Sequence, residues 1–242
     1  MSVPPDELAA ISAREFARAV SARWAAVLDQ ELMGIYLIGS LAHGGFSRRY
    51  SDIDVAVITR SGLSPAALEG LYAEAGRISD ALGPKVSIFW TDSGFSVGRF
   101  PPLDRVDYLD HGVTLVERAR VAPQRPTLEE VRRYLAGAPF TNWAAFCERF
   151  AASDALDPKD RKSYLRALLY PARFVMSWIT GRMASNDEAV ACLVEQAPKG
   201  LNLASVRQAL ACRQAAADPD PLFAARQSLP GQVAACAALT HL

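Results

Sequence analysis

Residues 34–58 read GIYLIGSLAHGGFSRRYSDIDVAVI. The order of residue types within this stretch decides the fold. It opens on an apolar run, Ile35-Tyr36-Leu37-Ile38, stopped by Gly39-Ser40. β-Branched and aromatic residues ending at a glycine predict a buried strand. Gly44-Gly45 and a polar segment through Ser51 follow, a loop by composition. Asp52-Ile53-Asp54-Val55-Ala56-Val57-Ile58 predicts a second strand. Side chains at i and i+2 of a strand share a face. Asp52 and Asp54 are therefore expected to project together, about 7 Å apart at Cβ, while Ile53, Val55 and Val57 enter a core. Two carboxylates on one face of an apolar strand are costly unless something neutralises them. A divalent cation does so, and hard carboxylate oxygens suit Mg²⁺, which takes one or two carboxylates together with substrate phosphates. Gly39 lets the backbone approach a ligand closely. Ser40 adds a hydroxyl and an N–H, and a helix beginning there would offer free amides to an anion. Phosphate on one side and metal on the other is the arrangement that phosphoryl and nucleotidyl transfer require.

Working outward, a first helix is expected after Pro4-Pro5, capped by Asp6, with Leu8, Ile11, Phe16, Val20, Trp24, Val27 and Leu28 as its apolar stripe. Ser64-Pro65 predicts a second helix, lined by Leu68, Leu71, Ile78 and Leu82 and stopped by Gly83-Pro84. Residues 86–90 predict a third strand and 113–116 a further short one, with 99–105 reading as a fixed loop between domains. Beyond Pro126 the pattern is helical almost throughout. Thr127 with Glu130 and Ser185 with Glu188 form capping boxes, Asp157-Pro158 marks another start, and Pro171 is expected to kink or split the longest helix. The boundary falls within 120–126. It gives an α/β domain over 1–122, a small mixed sheet with helices, and an all-α helical bundle over 123–242.

Composition narrows the function. Formal net charge is zero and the pI about 6.8, which argues against a nucleic-acid partner bound through broad phosphate attraction. No apolar run approaches the roughly 18 residues of a membrane span, and the N-terminal residues show neither the basic region nor the apolar core of a signal peptide. Cys147, Cys192, Cys212 and Cys236 lie far apart in helical contexts, without zinc-ligand spacing. They read as buried free thiols, and the expected location is the cytoplasm.

The stretch 34–58 resembles the signature of the polymerase-β-type nucleotidyltransferase superfamily. Residues 168–189, LLYPARFVMSWITGRMASNDEA, are similar to the helical domain of the aminoglycoside (streptomycin/spectinomycin) adenylyltransferases. The resemblance implies two domains with the active site in the cleft between them. It implies AMP transfer from ATP, or another NTP as donor, to a small-molecule hydroxyl. Gly39 and Ser40 would hold donor phosphates, Asp52 and Asp54 would bind Mg²⁺ as metal ligands and catalytic residues, and Arg173 would contact the phosphates. Two positions depart from the pattern. The third carboxylate of such enzymes falls on Ser87, while Asp92, Asp104 and Asp107 are near in sequence but off the strand position. A lysine of the helical domain falls on Asn186. A serine cannot accept a proton near neutral pH as a carboxylate does. The alternative reading is therefore a non-catalytic or weakly active nucleotide-binding module; an antitoxin-like enzyme that modifies a partner protein is a third.

Other residues carry both a functional and a plain structural reading. His43 is a phosphate or acceptor contact, or a solvated loop residue. Arg48 and Arg49 steer triphosphate, or are loop charges. Trp178 stacks on a ligand ring, or packs in the helical core. Trp90 reads as core, His111 as a turn or cap residue, and His241 as uninformative.

Overall fold

A computed structural model of the chain describes residues 4–240. His241, and the first three residues of the segment read for a signal peptide, lie outside the described residues. The chain divides into two compact units, Met1–Arg125 and Pro126–Leu242.

The first unit is built on a sheet of β1 (Leu32–Ile38), β2 (Ile53–Thr59), β3 (Val86–Thr91), β4 (Gly98–Arg99) and β5 (Val113–Glu117), in the order β4-β3-β2-β1-β5. β1 runs antiparallel to both β2 and β5, β2 parallel to β3, and β3 antiparallel to β4. A parallel pair needs a crossover. Here α3 (Pro65–Ile78) supplies it, begun by Ser64, whose Oγ accepts from the Ala67 amide at 3.1 Å. Alternation along the strands sorts side chains into two cores. Ile35, Leu37, Ile53, Val55, Val57 and Ile88 pack with α1 (Pro5–Leu28) and α3, whereas Tyr36, Ile38, Ala56 and Ile58 pack with Phe95, Phe100 and Tyr108.

Several expectations need correction. α1 has no side-chain cap: Pro4 holds the cap position and Asp6 lies in the first turn, where its Oδ1 sits 3.4 Å from both the amide and Nε of Arg48. The buried face of α1 runs through Ala13, Phe16, Ala17, Val20, Trp24 and Leu28, leaving Leu8, Ile11 and Val27 exposed. Small alanines allow helix and sheet to approach, and so define the face more than the larger residues do. α3 ends at Ile78, so Leu82 follows it rather than lining it. The segment read as a loop over 99–105 holds the end of β4 and the start of α4 (Pro102–His111). The alternating charges Asp104, Arg105, Asp107 and Asp110 hid the apolar stripe of that helix, of which Val106 and Tyr108 are buried.

The second unit contains α5 (Leu128–Ala136), α6 (Ala138–Ala152), α7 (Arg161–Thr180), α8 (Asn186–Gln196), α9 (Leu203–Gln214) and α10 (Leu229–Thr240). Thr127 and Glu130 form the expected capping box, and Ser185 Oγ accepts from the Glu188 amide. The Asp157 side chain caps the short 3₁₀ turn Pro158–Asp160 that leads into α7. Pro171 does not split α7, which is one helix with the proline inside it. A proline leaves the carbonyl four residues back without its helical donor. That carbonyl belongs to Ala167 and accepts from Trp143 Nε1 at 2.9 Å. The Trp143 ring also stacks on Tyr170, centroids 4.5 Å apart. A buried side chain thus replaces the lost backbone bond and helps the helix to continue.

Candidate functional site

β1 ends at Ile38, opposite Asp54 on β2, and the chain leaves it through Gly39 with φ 68° and ψ −157°. L-residues rarely adopt that conformation. Contact demands glycine as well, because a Cβ built there would lie 2.3 Å from Asp54 Oδ2. The strand end and the second aspartate are therefore packed backbone against carboxylate. One helical turn, α2 (Ser40–His43), follows at once. The amides opening a helical turn have no partner within it, so Ser40 starts the turn beside Asp54.

The return loop is folded onto this turn. Ser40 Oγ hydrogen-bonds Ser51 Oγ at 3.0 Å, and Ser51 Oγ accepts from the Ser47 amide at 2.9 Å. Ser51 immediately precedes Asp52, which lies just before the first residue of β2 and is half-buried, as is Asp54. Asp54 and Ile53 alternate as expected: Ile53, Val55 and Val57 fill the core on the α1 side, and Asp54 shares the opposite face with Ala56 and Ile58. Ser87 is the register partner of Asp54 across the parallel β2–β3 pair. The position where the resemblance calls for a third carboxylate is thus a neighbour of Asp54 and carries a hydroxyl.

Other predicted residues fall as follows. His43 ends α2 and lies edge-on to His111, the last residue of α4, centroids 5.7 Å apart. Arg48 is placed against Asp6, and Arg49 lies over the Tyr50 ring. Asp92 is held in a turn after β3 by the Ser96 hydroxyl and amide, both at 2.7 Å. Donation from Ser96 holds its carboxyl down at about 2. Trp90 packs against the α1-side core. Arg173 belongs to the second unit, on α7, and is exposed. Trp178, also on α7, stacks on Phe174 and is covered by the Arg132 guanidinium 5.5 Å from its centroid. Asn186 is the first residue of α8.

Three residues around the turn carry contacts that sequence reasoning missed. Ser51 had a weak signal in its place beside Asp52. Arg14, on α1, had none; its Nε and Nη2 donate to the Leu41 carbonyl at 3.3 and 2.8 Å across 27 positions of sequence. Asp107, on α4, reads from the sequence only as a stand-in carboxylate. It is 1% exposed, and its Oδ2 accepts from the Gly39 amide at 2.7 Å.

The donor chemistry at Asp52 and Asp54 fits a hard divalent cation, which needs one or two protein carboxylates when phosphate oxygens supply the rest. Among the described residues no group of three or more His, Cys, Asp or Glu is arranged to hold a metal.

No family model and no curated protein sequence matches the chain. Among solved structures it is similar to spectinomycin adenyltransferase AAD(9) from Enterococcus faecialis, solved with ATP and spectinomycin. The TM-score is 0.66 at 13% identity, over 94% of this chain and 99% of that one. The chain, a mixed five-stranded sheet followed by a helical unit, thus shares the two-domain fold of that adenyltransferase.

Proposed function

We propose that this protein is a nucleotidyltransferase that moves a nucleoside monophosphate, AMP from ATP, onto a hydroxyl of a small molecule. The observation that carries the reading is the approach of Gly39 to Asp54, which sets the Ser40 turn directly beside a carboxylate. Likeness to an adenyltransferase solved with ATP and spectinomycin supports ATP as donor and a small molecule as acceptor. In this reading Gly39 and Ser40 bind the donor phosphates, with the Ser40 hydroxyl already oriented by Ser51. Asp52 and Asp54 hold Mg²⁺. When bound, the cation neutralises the charge of the triphosphate and of the departing pyrophosphate. Arg173 is assigned to the phosphates on the sequence resemblance. The acceptor hydroxyl attacks the α-phosphorus and gives up its proton to solvent, the bond to the bridging oxygen breaks, and pyrophosphate leaves.

The deciding measurement is calorimetric titration of MgATP. Wild-type protein should bind it, and Asp52→Asn/Asp54→Asn should weaken binding by about 100-fold. Unchanged affinity in the double variant would remove the metal role of both aspartates. Ser87 beside Asp54 favours a second reading, a nucleotide-binding module without turnover. Labelled ATP offered with a panel of hydroxylated acceptors separates the two. Pyrophosphate release means transfer; binding without release means the module, and activity then created by Ser87→Glu would identify what it lacks.

A further inference from the structure

We infer that Asp107 is a positioning residue of the nucleotide site. It holds the start of the Gly39–His43 turn against Asp54 through the Gly39 amide, while Arg14 holds the carbonyl side. The inference rests on the function proposed above and adds to it the device that keeps the phosphate-binding turn in place.

The turn is one helical turn long, too short to hold itself, and Gly39 enters it in a conformation that costs free energy. Something outside it must fix its position. The Gly39 amide, at the strained residue, donates at 2.7 Å to a carboxylate that is 1% exposed. Two residues on, the Leu41 carbonyl accepts twice from a half-buried guanidinium. An anion takes an amide and a cation takes a carbonyl, and both are charge-assisted hydrogen bonds, roughly twice as strong as neutral ones. The two come from α4 and α1, which lie against opposite faces of the sheet.

The burial of Asp107 is the second line of argument. It lies on α4 between the buried Val106 and Tyr108, and Tyr108 belongs to the core of Tyr36, Ile38, Ala56, Ile58, Phe95 and Phe100. Its Oδ1 is buried with no hydrogen-bond partner among the described residues. A carboxylate so placed costs free energy that leucine would not. Packing therefore gives no reason for an acid here; an acceptor for the Gly39 amide does. Because Gly39 also meets Asp54, a displacement of that amide separates the Ser40 hydroxyl from the carboxylate meant to share its ligand.

The test compares Asp107→Ala, Asp107→Asn and Arg14→Ala in the full chain. MgATP affinity is read by calorimetry, and hydrogen exchange at the Gly39 amide is read by NMR without nucleotide. Asp107→Ala should weaken MgATP about 10- to 100-fold and speed Gly39 exchange by a similar factor. Asp107→Asn keeps an acceptor oxygen and should restore both to within about 5-fold of wild type. Arg14→Ala should weaken MgATP by about 3- to 10-fold. Should Asp107→Ala fail to fold, Asp107→Leu fills the volume without an acceptor and carries the same comparison. Wild-type affinity with wild-type protection in the Ala or Leu variant overturns the inference. So does an Asn variant as defective as Ala. Wild-type protein that binds no MgATP overturns the proposed function itself, and the nucleotide role of Asp107 with it.

Discussion

Gly39 is the residue on which the candidate site turns. Its φ of 68° strains any other residue, and a methyl group there would lie 2.3 Å from Asp54 Oδ2, so the carboxylate would have to shift. Gly39→Ala is expected to cost about 1–3 kcal/mol of stability, measured by urea denaturation, and to weaken MgATP binding by more than about 10-fold. Wild-type values in both assays would mean that the turn can relax at no cost. At this scale the sequence was informative where chemistry is local. A glycine-serine stop after an apolar run, and alternation through Asp54, are patterns of nearest neighbours. Asp52 proved to lie just outside β2 rather than within it, because a strand boundary depends on where the partner strand stops pairing. The contacts of Arg14 and Asp107 with the turn were not legible at all. Each joins residues far apart in the chain, and neither residue type announces a backbone partner.

Helices and strands were legible when their ends carried side-chain signals. Ser64-Pro65 and Thr127 with Glu130 began helices where expected. α4 was missed because its charges break the stripe that a periodic reading looks for, and because one of those charges, Asp107, faces inward. At Pro171 a local rule predicts a kink or a split; the helix is not split, and a side chain distant in sequence takes up the carbonyl that the proline leaves without a donor. Trp143→Phe keeps an aromatic ring but removes the Nε1 donor to the Ala167 carbonyl, and should cost about 1–3 kcal/mol in denaturant unfolding. In a Pro171→Ala background the helix regains its own donor for that carbonyl, so the same Trp143→Phe change should cost less. Equal penalties in the two backgrounds would show that Trp143 acts through packing alone.

For the molecule as a whole, the free thiols offer a pH-dependent readout. Cys147 and Cys236 are fully buried, and burial pushes both thiols from an ordinary 9.0 up to about 12. In the folded state they stay protonated where the unfolded chain has already ionised. Their contribution is fully present below about pH 9 and is lost as pH rises from there toward about 12, on the order of 1 kcal/mol per pH unit for each thiol. Denaturation midpoints should fall through this alkaline window, and Cys147→Ala/Cys236→Ala should flatten that fall. At pH 8 the native protein should leave both thiols unmodified by a disulfide reagent until it unfolds. The sheet has a further consequence at this scale. Its borders are the two-residue β4 and the five-residue β5, with the longer apolar strands β1 and β2 enclosed between other strands. Neighbours on both sides take up the amides of β1 and β2, so these apolar segments are withheld from a foreign strand as long as the fold persists; the edges it would meet are β5 and residues 86–89 of β3, which β4 does not cover.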